Sequence, residues 1–286
     1  MDNSYDQIIP KVGLGTYNMD SKESEFMTYE AIKYGYRHID TAAVYKNEDG
    51  VSRALERIFN ETQLKREDIF ITTKLWPGGL IKLDRVRDYK DTLKSFEKSL
   101  MRLNLEYIDL YLIHSPHGKS KRIEQWKSLM NLKESGKVKY IGVSNWGINH
   151  INELKENNLP LPDANQIEIH PWSQKPELVK YLRENDIDII AYSSLVPLSS
   201  WRHKDGENSK KTEQMYKLGE SENSPFKLLA QKYNCTEAQF LLQWALQQNF
   251  AVLPKTVNLD RMKENYDFNF EISQNDMDYV LSLIHI

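Results

Sequence analysis

Eight short apolar runs, separated by longer amphipathic stretches, limit what this chain can fold into more than any other feature. They are VGLGTY (12–17), RHID (37–40), IFITTKL (69–75), IDLYLIH (108–114), VKYIGVS (138–144), ANQIEIH (164–170), IDIIAYSSL (187–195) and FAVLPKT (250–256). Several are nearly continuous in Ile, Leu, Val and Tyr, the pattern of parallel strands buried on both faces. Helical periodicity lies between them, for example over Ser24–Tyr34, Tyr89–Leu103, Ile123–Ser135 and Lys175–Glu184. The last connection is longer. It carries a polar insertion around Trp201–Gly219, then two helical segments separated by a turn near Asn234. Thr236-Glu237-Ala238-Gln239 has the form of a capping box.

Eight strands alternating with helices have two solutions, a closed (β/α)8 TIM barrel or a doubly wound open sheet. The open sheet of a nucleotide binder would carry G-x-G-x-x-G after its first strand. Here Gly13-Leu14-Gly15 has no third glycine, so the pattern predicts the barrel. No linker-like stretch divides the chain, and residues 1–286 are expected to form a single domain. With 40% hydrophobic and 28% charged residues, the composition is that of a globular protein. A net charge of −3 favours neither nucleic acid nor an anionic membrane. The single cysteine, Cys235, excludes an internal disulfide and a thiolate metal cluster, and reads as a small hydrophobe. No apolar run approaches the ~20 residues of a membrane span, and MDNSYDQ is not a signal peptide. The expectation is a soluble, cytoplasmic protein. The charged stretches Lys82–Lys98 and Lys204–Lys211 read as solvated faces.

In a barrel, reactive groups gather where strands end. Asp40 ends RHID, Lys74 lies near the end of IFITTKL, and His114 ends IDLYLIH, while Tyr45 follows just beyond the second strand. A Tyr with a pKa near ~10 donates a proton poorly unless a cation stabilises its phenolate. Lys74 would supply that cation, Asp40 would hold the ammonium, and neutral His114 would donate a hydrogen bond to a substrate oxygen. This set has no nucleophile and no metal cage. It suits reduction of a carbonyl by hydride from a cofactor, with a general acid above the oxygen.

The segment GYRHIDTAAVYKNE (35–48) resembles the signature of the aldo-keto reductase family. LIHSP (112–116), IGVSN (141–145), NQIEIHP (165–171), AYSSL (191–195) and LPKT…RMKEN (253–265) match its other landmarks in order, from about Val12 to Ile284. The resemblance implies a (β/α)8 barrel that binds NADPH/NADP+ without a Rossmann motif. It implies Asp40, Tyr45, Lys74 and His114 as the catalytic tetrad. Ser144, Asn145 and Gln166 would bind the nicotinamide carboxamide, Tyr192 would stack on its ring, and Thr16 would lie nearby. Ser193 and Leu195 are expected on the pyrophosphate. Lys255, Thr256 and Arg261 would grip the 2′-phosphate, with Glu264 and Asn265 on the adenine. A small-molecule carbonyl substrate would meet Tyr17, Trp76 and Ser115, and the protein is expected to be a monomer or weak dimer.

The chain also departs from the family pattern. Ser115 stands where relatives carry an aromatic residue, and Ser194, Val196 and Pro197 replace the usual residues after Tyr192. Val at a position that favours Gly implies an altered pyrophosphate loop. The ending LSLIHI implies a short or absent C-terminal loop, and with Ser115 an open, wet mouth. Two rival readings stand beside it. One is a redox-sensing family member with slow turnover, distinguishable by steady-state NADPH oxidation. The other is a metal-dependent hydrolase using Asp40, His114 and His170, against which stands the lack of H-x-H or H-E-x-x-H spacing.

Overall fold

Each apolar run supplies a strand: β1 (Leu14–Gly15), β2 (His38–Asp40), β3 (Phe70–Leu75), β4 (Ile108–Ile113), β5 (Val138–Ser144), β6 (Ala164–Glu168), β7 (Asp188–Tyr192) and β8 (Ala251–Val252). The computed structural model describes residues 9–81, 83–198, 213, 217–219 and 221–283. Most of the insertion expected at Trp201–Gly219, the charged run Lys204–Lys211, the start MDNSYDQ and the last three residues lie outside the described residues. The strands pair in parallel in chain order. The two ends of the sheet then join. Val12 bridges Val252 in parallel, Gly13 N donates to Val252 O at 2.9 Å, and Gly15 N donates to Pro254 O at 3.1 Å. This closes a (β/α)8 barrel and leaves no open edge among the described strands.

The connecting helices are α1 (Ser21–Tyr34), α2 (Glu48–Glu61), α3 (Tyr89–Leu103), α4 (Arg122–Glu134), α5 (Ile148–Glu156), α6 (Pro176–Arg183), α7 (Pro225–Tyr233) and α8 (Glu237–Gln247). After β8 come α9 (Leu259–Glu264) and α10 (Gln274–Ser282). Local chemistry sets their ends. α1 starts three residues before the expected Ser24 because Asp20 caps it, accepting from Lys22 N and Glu23 N at 2.8 Å while Glu23 accepts from Asp20 N at 3.0 Å. α1 stops at Gly35, whose φ of 136° suits glycine. Thr236 forms the expected box with Gln239: Gln239 N donates to Thr236 Oγ1 at 3.2 Å, and Thr236 N donates to Gln239 Oε1 at 3.0 Å. Asn234, in the left-handed region, turns the chain between α7 and α8.

Several strands are shorter than their apolar runs. β1 occupies two residues of 12–17, and β8 two of 250–256. The remaining apolar residues are explained by tertiary position, since Tyr17, Leu195, Leu253 and Pro254 line a cavity at the C-terminal mouth. Below it, Leu110, Leu112, Ala164, Ile190, Ala251 and Leu253 fill the barrel with Ile9. The alternate residues Tyr111 and Ile113 pack outward with Ile58, Phe96 and Leu129 from the helix ring. Gly142 lets β5 approach β6 closely, since a Cβ there would lie 2.5 Å from Ala164 O. Among the described residues no helix is long and apolar enough to cross a membrane.

Candidate active site

Strand register builds the site. Asp40 pairs with Thr72, Lys74 with Leu112, Leu112 with Gly142, Ser144 with Gln166, and Gln166 with Ile190. These residues occupy one parity of each strand, the inward one. Two residues further along that parity from Leu112 and Ile190 come His114 and Tyr192. The top inward layer is therefore polar where the layers beneath it are aliphatic. Above it opens a cavity of about 680 Å³, lined by Asp40, Tyr45, Trp76, His114, Asn145 and Gln166, among others.

Lys74 is completely buried. Its Nζ donates to Asp40 Oδ1 at 2.5 Å and to Thr41 O at 2.8 Å, and reaches Tyr45 Oη at 3.5 Å. Burial lowers the Lys74 pKa, and the Asp40 carboxylate opposes that shift. Tyr45 sits on a single 3₁₀ turn, Ala43–Tyr45, between β2 and α2. Its pKa lies well above the ordinary value, raised by burial first, then by the charge of Asp40 and by Tyr17 and Tyr192. This differs from the expectation that Lys74 dominates. In the free site the phenol is held protonated, because burial and Asp40 outweigh an ammonium at the limit of hydrogen bonding.

His114 packs edge-on against Tyr45 and Trp76, with ring centroids 5.5 and 5.8 Å apart. Burial and the neighbouring Lys74 push its pKa down to about 3, so the ring is neutral. Its Nδ1 is buried without a partner among the described residues. An unpaired buried N–H is rarer than an unpaired acceptor, so the proton belongs on Nε2, the nitrogen left for the cavity. Asn145 takes a left-handed φ of 62° and donates through Nδ2 to His114 O at 3.2 Å. Tyr192 Oη donates to Asn145 Oδ1 at 2.6 Å, and Ser144 Oγ to Gln166 O at 2.9 Å. Gln166 Nε2 donates to Asp40 Oδ2 at 2.8 Å.

The other expected site residues divide. Tyr17, Trp76, Ser193, Leu195 and Lys255 line the cavity. Thr16 does not: it is buried behind the layer, its hydroxyl 3.1 Å from Asp40 O and 3.4 Å from Asn47 Oδ1. Thr256, Arg261, Glu264 and Asn265 also lie beyond the cavity lining, at the start of α9 and along it. Thr256 Oγ1 accepts from Asn258 N at 3.0 Å, Arg261 is exposed and Asn265 is buried. Ser115 does not line the cavity either: it is buried, its Oγ 2.9 Å from His117 Nδ1. Val196, from which an altered loop was expected, does not take a positive φ. Val196 begins a 3₁₀ turn, and Ser193 carries the left-handed φ, 57°.

Two residues escaped the sequence reading. Asn47 is fully buried and joins the loop after β1 to the loop after β2. Its Nδ2 donates to Thr16 O at 2.8 Å and Met19 O at 3.0 Å, while its Oδ1 accepts from Thr41 Oγ1 at 2.8 Å. Glu48, behind Lys74, accepts from Thr73 Oγ1 at 2.6 Å and Arg102 Nε at 2.7 Å. Both lie in the segment YKNE, where only the Tyr drew attention. His170, weighed as a metal ligand, places Nε2 3.1 Å from Glu168 Oε1. Among the described residues no three His, Cys, Asp or Glu side chains converge as a metal site. Burial pushes the Cys235 thiol up to about 11, an unreactive setting.

The lysine–carboxylate–tyrosine cluster sits at the C-terminal mouth of a closed parallel barrel, the face on which barrel enzymes carry their active sites. The aldo/keto reductase family model matches residues 11–285, and the chain belongs to that family. It is 38% identical to glyoxal reductase of Bacillus subtilis, over 96% of this chain and 89% of that protein. Among solved structures it resembles an aldo/keto reductase from Brucella melitensis, with TM-score 0.80, 37% identity and coverage of 96% and 95% of the two chains. It also resembles a Bombyx mori aldo-keto reductase in complex with NADP, with TM-score 0.82, 30% identity and coverage of 96% and 89%.

Proposed function

We propose that this protein reduces aldehydes or ketones to alcohols with NADPH, Tyr45 acting as the general acid. The observation that carries the reading is the chain Asp40 Oδ1, Lys74 Nζ and Tyr45 Oη, at 2.5 and 3.5 Å, on the cavity floor beside neutral His114. The cavity residues suit a nicotinamide dinucleotide. The amides of Asn145 and Gln166 and the hydroxyl of Ser144 match a carboxamide, the Tyr192 ring offers a stacking face, and Lys255 offers a cation. The bound cofactor supplies the hydride to the carbonyl carbon. His114 donates from Nε2 to the carbonyl oxygen and orients it. Tyr45 then transfers its phenolic proton to that oxygen as negative charge develops there. Lys74, held by Asp40 and Thr41 O, stabilises the phenolate left behind.

Tyr45, protonated in the free site, holds the proton that reduction consumes. Similarity to glyoxal reductase makes small dicarbonyls the first substrates to try. The test is NADPH oxidation followed by absorbance against glyoxal, propanal and nitrobenzaldehyde, in wild type and in Tyr45→Phe. Wild-type turnover that the variant loses supports the reading, and absence of turnover with every carbonyl overturns it.

A further inference from the structure

Asp40 has two carboxylate oxygens, and the mechanism above uses only Oδ1. Oδ2 accepts from Gln166 Nε2 at 2.8 Å, within the buried layer. A carboxylate can only accept, so the amide end facing it is the NH2. Gln166 also lines the cavity. Its carbonyl oxygen is thus left as the end available to a cofactor amide, while its nitrogen is committed to Asp40. Residues 40 and 166 come from β2 and β6, on opposite sides of the barrel, and the bond spans the floor of the site.

We propose that Gln166 is a positioning residue of the proton-transfer machinery, holding the second oxygen of Asp40 and thereby setting, through Asp40 and Lys74, the pH at which Tyr45 releases its proton. The proposal rests on the reading of Tyr45 as the acid. The Nε2–H dipole offsets part of the carboxylate's negative potential. Without it Asp40 would oppose the phenolate more strongly, in the direction its charge already acts on Tyr45. The other groups around the phenol are Lys74 from β3, His114 after β4, Tyr17 after β1 and Tyr192 from β7, with Lys255 after β8 on the same cavity. Glu48 acts on Lys74 from behind, its own charge met by Arg102 and Thr73. None of these is altered when Gln166 changes, so the donor to Oδ2 can be tested by itself.

Two variants of similar volume separate this role from simple cofactor contact. Gln166→Met removes the donor, and Gln166→Glu replaces it with a carboxyl that donates only when protonated. The first measurement is the alkaline limb of kcat for nitrobenzaldehyde reduction at saturating NADPH. The second needs no turnover: proton release on NADP+ binding, by calorimetry in buffers of different ionisation enthalpy, with Tyr45→Phe identifying the tyrosine's share. For Gln166→Met both curves should move to higher pH by about half a unit or more, roughly threefold in the acid–base ratio. Gln166→Glu should track wild type at low pH and depart upward as the introduced carboxyl ionises. A weaker NADP+ affinity with both curves within about 0.2 unit of wild type, or displaced downward, overturns the proposal. That result would leave Tyr45 as the acid, since Tyr45→Phe tests it separately; an inactive wild type would instead remove the functional reading.

Discussion

Replacing Tyr45 with Phe asks the most of the proposed chemistry and the least of the fold. The ring keeps its neighbours: Tyr17 at 5.1 Å and His114 at 5.5 Å between centroids, and Lys74 Nζ at 5.0 Å from the ring centre. Only the hydroxyl is lost. Its bond from Lys74 is 3.5 Å long, at the outer limit of hydrogen bonding, and Lys74 retains Asp40 and Thr41 O at 2.5 and 2.8 Å. The stability cost should therefore be under ~1 kcal/mol, a shift in Tm of about 2 °C or less for a chain of this size. Catalysis should suffer far more. One positioned proton donor is worth ~10²–10⁴-fold, or about 3–5 kcal/mol of barrier. The loss should fall on kcat, with the NADPH Kd, read from tryptophan fluorescence, nearly unchanged. A variant that keeps more than about a tenth of wild-type kcat, or whose Tm collapses, would refute the reasoning.

Lys255, Thr256 and Arg261 as a 2′-phosphate clamp should make NADPH bind at least ~10-fold more tightly than NADH, and Arg261→Ala should shrink that ratio by weakening NADPH; equal wild-type dissociation constants would end the assignment. Asn47→Ala strands Met19 O and the Thr41 hydroxyl and leaves Thr16 O with Met19 N alone, at 3.1 Å, and should cost about 2–4 kcal/mol in urea unfolding together with a loss of kcat, since Thr41 lies just before the turn that ends in Tyr45. Acid should destabilise the fold through two buried neutral histidines. The pKa values of His38 and His114 are pushed down to about 4 and about 3, below the 6.5 of the unfolded chain. Between those values the unfolded state binds the extra protons. Their contribution is complete above pH 6.5 and lost as the pH falls toward 4 and then 3, at up to ~1.4 kcal/mol per pH unit for each. Urea midpoints that stay level from pH 7 to pH 4.5 would contradict this.

What the amino-acid sequence determined by itself is periodic and local. Near-continuous apolar runs such as IDLYLI can only be strands buried on both faces. The capping box at Thr236 marks a helix start, and the missing third glycine after Gly15 argued against an open nucleotide-binding sheet. The ordered motifs, from GYRHIDTAAVYKNE to RMKEN, identified the family and selected Asp40, Tyr45, Lys74 and His114, which the barrel brings together, three of them lining one cavity and Lys74 buried beneath it. These features are legible because backbone period and capping depend on neighbours a few residues away. Tertiary structure decided the rest, because closure and strand stagger set which distant atoms meet. Nothing around Gln166 announces that its amide belongs to Asp40, 126 residues earlier. Asn47 reads as a loop residue until the loops after β1 and β2 converge on it. Ser115 follows His114 directly, yet only His114 lines the cavity, while Ser115 meets His117 in the loop after β4, a contact that the fold of that loop decides.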